Sequence, residues 1–342
     1  MDAILCTAVA RQRRPTLYAM QSFGRRRRPR ALPNVRPLPA ILVGLASALL
    51  ATAGFVGYRL WPLTDRAAGA IPASASQPAV QPGNGPAPPH AGLFVGAPVG
   101  GRPHGVHARA AIVVDRVTGR VLWSHAPHRR LAIASLTKLM TAAVALDRAG
   151  HLDRPFRVTA AMTGAPGYTI GLHPGQVVTE RRMLAAALIE SANDAADALA
   201  VHRAGSIGRF VRLMNARAAS LGLEDTRYSN PSGIVDAHNR SSAWDIAALS
   251  LRVLRQPLVR ALVARKTFAT GPTTSYVSRN RLLWTYPGAI GIKTGQTTVA
   301  GNCIAAAAQH GSRSVVAVLL HVRGDEFAAA ARLLTWGFRH DR

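Results

Sequence analysis

The chain has 342 residues, of which 48% are hydrophobic, and its 42 lysine and arginine residues outnumber its 16 aspartate and glutamate residues. This length and hydrophobic content exclude a chain too small or too polar to bury a full globular core, and they leave room for appended segments. The net charge of +26 would favour anionic lipid or wall polymers as partners, but a coding bias toward arginine together with membrane topology is the simpler explanation. We expect no nucleic acid partner.

The N-terminal part of the chain predicts a membrane anchor. Residues 1–36 hold nine arginines against Asp2, and an uncharged run from Pro37 to Tyr58 follows them. About 20 apolar residues suffice to cross a bilayer as a helix, and basic residues before such a run favour a cytoplasmic N-terminus. We therefore predict a basic cytoplasmic segment over 1–36 and a single-pass transmembrane signal-anchor over 37–60, with the remaining chain outside the cell membrane. Small residues after the run leave cleavage as a signal peptide open.

Residues 61–103 are rich in proline, alanine and glycine and carry few charges. Such a composition has too little periodic apolar content to offset the entropy of ordering, so we predict a disordered linker. A folded domain then occupies 104–342. We expect no intramolecular disulfide, because Cys6 would lie in the cytoplasm and Cys303 outside it.

The predicted elements of this domain change from strands to helices and back to strands. Two short apolar runs at 110–114 and 121–123, joined by a glycine-containing loop, predict a β-hairpin. Apolar residues at helical spacing after Ser135 predict a helix that ends before Gly150. The later predicted elements are helices over 181–190, 194–203 and 207–221, strands over 289–294, 302–308 and 314–321, and a last helix over 325–338. Strands at both ends indicate an α+β fold in which the two ends form one sheet and a helical lobe is inserted.

Three short motifs combine hydroxyl and amine side chains in a fixed order. They are the Ser-x-x-Lys of Ser135 and Lys138, the Ser-x-Asn of Ser191 and Asn193, and the Lys-Thr-Gly that begins at Lys293. Only three of the 42 basic residues are lysine, and two of those three lie in these motifs. A buried lysine can lose its proton and act as a general base beside a hydroxyl nucleophile, whereas arginine cannot. Each motif alone is weak, because Ser-x-x-Lys and Ser-x-Asn recur by chance in a chain of this length. Ser135 could equally be a helix cap, and Asn193 alone would more often be one.

The ordered triplet resembles the active-serine signature of penicillin-binding proteins and serine β-lactamases. Several flanking segments are similar, in the same order, to segments of the low-molecular-mass D-alanyl-D-alanine carboxypeptidases, the S11 peptidase family: 134–142, 210–215, 221–223, 230–233, 291–295 and 334–338. The resemblance begins near Ala108 and continues to the C-terminus. It implies the penicillin-binding-protein fold, with a five-stranded antiparallel sheet, a helical subdomain and an active-site groove between them. It also makes 104–342 a D,D-carboxypeptidase catalytic domain.

The resemblance further implies a role for each motif residue. Ser135 would attack the carbonyl of the terminal D-alanyl peptide bond of a peptidoglycan stem peptide, Lys138 would accept its proton, and Ser191 would relay a proton to the leaving amine. The backbone N–H groups of Ser135 and Gln296 would form the oxyanion hole. β-Lactam antibiotics would acylate the same serine, and neither a metal nor a cofactor is implied. The implied substrate-binding residues are Asn193, Lys293, Thr294, Gly295 and Gln296.

The chain departs from the family pattern at Ser232, where histidine is frequent, at Trp244, where arginine is usual, and at Ile290, where an acidic residue is common. These departures bear on substrate preference and rate. A D,D-endopeptidase, a serine β-lactamase of the same fold and an inactive wall-binding scaffold remain as alternatives. The β-lactamase alternative is disfavoured, because the Glu-x-x-Leu-Asn sequence with which class A enzymes activate the deacylating water does not occur in the chain.

Overall fold

The computed structural model describes residues 93–96, 101–147, 150–234 and 238–340. The predicted cytoplasmic segment over 1–36 and the transmembrane signal-anchor over 37–60 lie outside these residues, as does most of the predicted linker. Within the described ranges, no helix is both long enough and apolar enough to cross a membrane.

One large sheet organises the described part of the chain, and three short two-stranded ladders accompany it. The strands are β1 (Phe94–Val95), β2 (Ala108–Asp115), β3 (Arg120–His125), β4 (Leu131–Ala132), β5 (Pro155–Arg157), β6 (Val177–Thr179), β7 (Arg240–Ser241), β8 (Thr267–Ala269), β9 (Ser275–Val277), β10 (Ala289–Thr297), β11 (Gly301–His310) and β12 (Arg313–Val322). The large sheet has the strand order β1-β3-β2-β12-β11-β10, and the ladders pair β4 with β7, β5 with β6, and β8 with β9.

Strands β3, β2, β12, β11 and β10 run antiparallel to their neighbours, so the predicted five-stranded antiparallel sheet is present. Each of its five strands contains a run predicted from the sequence. The two ends of the domain meet in the middle of the sheet, where Asp115 of β2 lies opposite Val315 of β12. The additional strand β1 pairs in parallel with β3, with Phe94 opposite Arg120, and it falls within the stretch predicted as linker.

In chain order, every described helix but the last lies between strands β3 and β10 of the large sheet. They are α1 (Lys138–Asp147), α2 (Glu180–Ala185), α3 (Asn193–Ala204), α4 (Ile207–Ser220), α5 (Ala243–Leu254), α6 (Pro257–Val263), α7 (Leu282–Thr285) and α8 (Glu326–His340). The helix predicted from Ser135 begins instead as a 3₁₀ turn over Ala134–Thr137, and the one predicted over 181–190 ends in a π-helical turn over Ala186–Glu190. Helices α5, α6 and α7 are not among the elements predicted from the sequence.

Two hydrophobic cores lie on opposite faces of the sheet, because successive side chains of a strand point to opposite sides. On one face, Ile112 and Val114 of β2 pack with the helical lobe. On the other face, Val113 packs beneath α8. Gly337 lets α8 approach closely, since a Cβ atom there would lie 2.8 Å from Val315 Cγ1 and 2.9 Å from Val113 Cγ2. The helical lobe and α8 thereby hold the sheet on both sides.

Candidate active site

Ser135 lies in the 3₁₀ turn that precedes α1, and its side chain is half-buried. In a 3₁₀ turn, side chains three residues apart lie above one another, which brings Ser135 and Lys138 together. The Nζ atom of Lys138 lies 3.1 Å from the Oγ atom of Ser135. The preceding residue, Ala134, has φ +48, a left-handed conformation uncommon for a residue other than glycine. Such backbone strain persists only where surrounding contacts impose it.

Lys138 is fully buried, and its amine contacts three oxygen atoms. Besides Ser135, these are Asn193 Oδ1 and the backbone carbonyl oxygen of Ser232, each 2.7 Å from Nζ. Burial, and then the positive charge of Lys293, hold the pKa of Lys138 well below its usual range. A lysine in this environment can be a neutral amine that accepts a proton from a nearby hydroxyl.

The loop that contains Ser232 packs directly against the 3₁₀ turn of Ser135 and the start of α1. Asn230 Oδ1 accepts a hydrogen bond of 2.7 Å from the Gly233 backbone N–H, and Thr141 Oγ1 donates one of 2.6 Å to the Pro231 carbonyl. Gly233 has φ +79, and a Cβ atom there would lie only 1.9 Å from the Ala134 carbonyl oxygen. The family departure at Ser232 does not remove this contact, since Ser232 reaches Lys138 through its backbone carbonyl group.

Ser191 and Asn193 lie at the junction between the π-helical turn and α3. Ser191 ends the π-helical turn in a left-handed conformation, with φ +67. In this conformation its hydroxyl group faces Lys293. Its Oγ atom accepts a hydrogen bond of 2.9 Å from Lys293 Nζ. Asn193 donates a 2.8 Å hydrogen bond from Nδ2 to the Pro166 carbonyl group. The amide of Asn193 therefore links Lys138 to the loop that contains Pro166.

Lys293 projects from β10, the edge strand of the sheet, and is 2% exposed. Its amine also donates a hydrogen bond of 3.0 Å to the Thr294 carbonyl group. Burial, followed by the nearby guanidinium group of Arg279, lowers the pKa of Lys293 to about 7. Gly295 explains why the motif ends in glycine, because a Cβ atom there would lie 2.9 Å from the backbone nitrogen of Ser135. Only glycine lets β10 lie this close to the serine turn.

A groove of about 390 Å³ opens above these contacts. Six of the predicted site residues line it, and the two lysines lie beneath them. The six residues are Ser135, Ser191, Asn193, Thr294, Gly295 and Gln296. The structure therefore brings all eight predicted site residues together, while the predicted role of the Gln296 N–H group stays a prediction.

Among the described residues, five that are not predicted site residues also line the groove: Tyr168, Ile234, Arg279, Glu326 and Phe327. Arg279 stacks on Tyr168, with its guanidinium carbon 3.8 Å from the ring centre, and donates from Nε to the Glu190 carbonyl group at 2.8 Å. One arginine among 39 carries no signal in the sequence, and the other residues lie outside the three motifs. Within the described ranges, no three His, Cys, Asp or Glu side chains lie close enough together to hold a metal ion.

Comparison with known proteins adds independent evidence. Residues 98–324 match the sequence profile of the D-alanyl-D-alanine carboxypeptidase family of S11 peptidases. The chain is 35% identical to the D-alanyl-D-alanine carboxypeptidase DacF of Bacillus subtilis over 62% of this chain and 57% of that protein. It is also 35% identical to the D-alanyl-D-alanine endopeptidase of Escherichia coli over 66% of this chain and 76% of that protein. The crystal structure of a D-alanyl-D-alanine carboxypeptidase from Mycobacterium tuberculosis is similar, with a TM-score of 0.65, 32% identity, and coverage of 70% of this chain and 96% of that one.

Proposed function

Because this chain belongs to the D-alanyl-D-alanine carboxypeptidase family of serine peptidases, we propose that it removes the terminal D-alanine from peptidoglycan stem peptides. The observation that carries the proposal is the buried Lys138 amine, which lies 3.1 Å from the Ser135 hydroxyl oxygen. A serine is a weak nucleophile until an adjacent base accepts its proton. Lys138 is such a base, because its environment favours the neutral amine.

In the first half of the reaction, the Ser135 proton moves to Lys138 Nζ while Ser135 Oγ forms a bond to the carbonyl carbon of the substrate. The oxygen of the resulting tetrahedral intermediate carries negative charge, which the backbone N–H groups of Ser135 and Gln296 stabilise. The bond between that carbon and the D-alanine nitrogen then breaks. Ser191, hydrogen-bonded to Lys293, passes its hydroxyl proton to the departing amine. Lys138 then gives the proton that it took from Ser135 to Ser191, which leaves both side chains neutral.

In the second half, water attacks the ester that joins the substrate to Ser135. Lys138 accepts a proton from this water, the ester bond breaks, and Ser135 regains its hydrogen. The products are a shortened peptide with a new carboxylate and the free serine side chain. The chain contains no Glu-x-x-Leu-Asn sequence, so we expect release of a bound β-lactam to be slow.

Substrate recognition uses the edge of the sheet and the charge of Lys293. An extended peptide can add to an exposed strand edge through backbone hydrogen bonds, and β10 is an edge strand beside the groove. The terminal carboxylate of the substrate binds next to Lys293 and Thr294, where positive charge and a hydroxyl group are available. Asn193 holds the substrate amide from the opposite wall.

Penicillin should form a covalent adduct with Ser135, because its strained amide and carboxylate match the same nucleophile and binding groups. Intact-protein mass spectrometry of the full-length chain should show one adduct, peptide mapping should place it on Ser135, and the Ser135→Ala variant should carry none. In a parallel assay, the native chain should release free D-alanine from pentapeptide, and the Ser135→Ala variant should release none. An adduct on Ser191, or rapid repeated turnover of penicillin, would contradict the proposal, and the second result would favour a β-lactamase.

A D,D-endopeptidase is the second candidate, because one relative with that name is as similar to this chain as DacF is. Both activities break a bond after D-alanine through the same acyl-enzyme, so they differ in the leaving group that the groove admits. Cross-linked dimeric stem peptides and monomeric pentapeptide, compared at equal concentration, separate the two. Faster cleavage of the dimer would assign this chain to the endopeptidases.

We also propose that the predicted signal-anchor over 37–60 holds the catalytic domain on the outer side of the cell membrane. The basic residues of 1–36 and the uncharged run that follows support this topology. Protease added to intact cells should cut within 61–103 and release a fragment near the size of 102–342. Protection of the chain until the cells are lysed would reverse the orientation and remove wall substrates from its reach.

A further inference from the structure

A second pocket, of about 520 Å³, opens on the sheet face that carries α8, and it shares no lining residue with the active-site groove. Arg109 and Ala111 of β2 face it, on the same side of the strand as Val113. His125 of β3 lies opposite Ala111, and Trp123 lies opposite Val113. Because side chains alternate along neighbouring strands, Arg109, Trp123 and His125 lie on the same wall of the pocket.

The floor of the pocket is a small side chain. Ala111 is 1% exposed and belongs to the core beneath α8, where several neighbours have larger side chains. A larger side chain at position 111 would occupy part of the pocket. The loop from 101 to 107 completes the rim and contributes Arg102 and His107. This loop is held in place by Arg332 of α8, whose Nη1 atom donates a 3.0 Å hydrogen bond to the Gly105 carbonyl group.

The third side of the pocket is a strained segment of β12. His321 lines the pocket with φ +54, and the register between β11 and β12 shifts beside it. Gly301 of β11 makes room for the imidazole ring, since a Cβ atom there would lie 3.2 Å from His321 Nδ1. Bulges and residues held in sparsely populated conformations are concentrated at functional sites, where they direct side chains. The proposed catalytic reaction does not use His321.

The pocket is cationic without an internal counter-charge. Arg102, Arg109 and Arg323 line it, and none of its described lining residues is acidic. Several other arginines of the described chain have carboxylate partners, such as Arg181 with Asp153. Within the same described ranges, the three guanidinium groups of the pocket form no ion pair. They present paired N–H donors that match the oxygen atoms of a phosphate group.

From these features, we infer that the pocket binds a phosphodiester-linked polyol or sugar chain, with a phosphate group held by Arg109 and Arg323 and the carbon skeleton lying against Trp123. The volume of this pocket lies within the usual range of small-molecule sites, about 300–1,000 Å³. Proteins that bind single-stranded nucleic acid without sequence preference stack successive bases on aromatic side chains. The described lining residues of this pocket include one indole ring and no phenylalanine or tyrosine, so they offer no such series of stacking surfaces, which favours the polyol or sugar chain.

The test is binding of a short glycerol phosphate oligomer to the full-length chain, measured by isothermal titration calorimetry at physiological salt. The Arg109→Gln/Arg323→Gln variant should bind it about tenfold or more weakly, because charge-assisted hydrogen bonds are lost. The matched control is Arg212→Gln/Arg227→Gln, which removes the same charge from two exposed arginines elsewhere and should retain affinity within about twofold. Both arginine pairs lie outside the active-site groove, so acylation by penicillin should be unchanged in both variants.

Three results would contradict a specific site for the oligomer in this pocket. Equal loss in the two variants would mean that net charge alone attracts the oligomer, and absence of binding to the native chain would likewise overturn the site. A DNA oligonucleotide of equal charge that binds as tightly, with the same sensitivity to Arg109 and Arg323, would assign the pocket to nucleic acid instead. Failure in any of these ways leaves the proposed peptidase function standing, because acylation of Ser135 is measured separately.

Discussion

Replacing Lys138 with arginine should lower the rate of acylation by penicillin by roughly 10³-fold, which is within the usual contribution of a general base. The guanidinium group keeps the positive charge but cannot accept the Ser135 proton near neutral pH. The chain should remain folded, although the larger side chain at a fully buried position costs about 1–3 kcal/mol. Time-resolved mass spectrometry gives the rate, and circular dichroism on heating reports the fold.

The other two lysines supply matched controls for this experiment. Lys266 is exposed, with its amine 6.0 Å from the centre of the Trp284 ring, a contact that arginine can also make, so Lys266→Arg should be nearly silent. Lys293→Arg retains a cation for the substrate carboxylate but displaces Ser191, and should give slow yet measurable acylation. Raising the pH should not rescue Lys138→Arg. Near-normal acylation in that variant would show that another group removes the Ser135 proton.

Replacing Gly233 with alanine should destabilise the chain by several kcal/mol and reduce acylation by about 100-fold in the fraction that still folds. Two effects add at this position. The backbone has φ +79, which costs an alanine about 1–2 kcal/mol, and the new Cβ atom would lie 1.9 Å from the Ala134 carbonyl oxygen. We expect relief of that clash to shift the turn that carries Ser135, and with it the contact between Ser135 and Lys138. Chemical denaturation and the acylation rate measure the two consequences.

Gly164→Ala separates the conformational cost from the clash. Gly164 has a similar φ of +84, but a Cβ atom there would meet no atom within 4 Å. This variant should lose only about 1–2 kcal/mol and acylate at the native rate. If Gly233→Ala behaves like Gly164→Ala, the loop of Ser232 and Gly233 does not position the nucleophile.

The sequence predicts the residues of the site better than their conformation. The spacing of Ser135 and Lys138 holds in either an α-helix or a 3₁₀ turn, so the motif placed both side chains together although the start of the helix was not predicted correctly. The left-handed backbone of Ser191 could not be predicted, because no local preference of serine favours it. Arg279 and Tyr168 reach the groove through tertiary contacts alone.

The long elements of the fold are predicted from the sequence better than the short ones. All five strands of the antiparallel sheet follow from apolar runs, whereas the three-residue strands of β5, β6, β8 and β9 are too short to show a period. Helix α5 did carry a readable signal that the sequence analysis did not use. Ser242 precedes it, and the Ser242 hydroxyl group accepts a 3.2 Å hydrogen bond from the Asp245 backbone N–H, which is a typical helix start.

The pairing of β2 with β12 has a consequence for the order in which the protein matures. The strand that begins the domain acquires its inner neighbour only when the last strand has been synthesised, and Lys293 likewise follows Ser135 late in the chain. Contacts between such distant segments form slowly and require the closure of a long loop. A nascent chain that ends before β12 already contains Ser135, Lys138 and Lys293, but β2 and β11 each still lack a neighbour, so we expect the site to be unassembled. We therefore expect Ser135 to become reactive toward penicillin only after β12 has joined the sheet, late in synthesis.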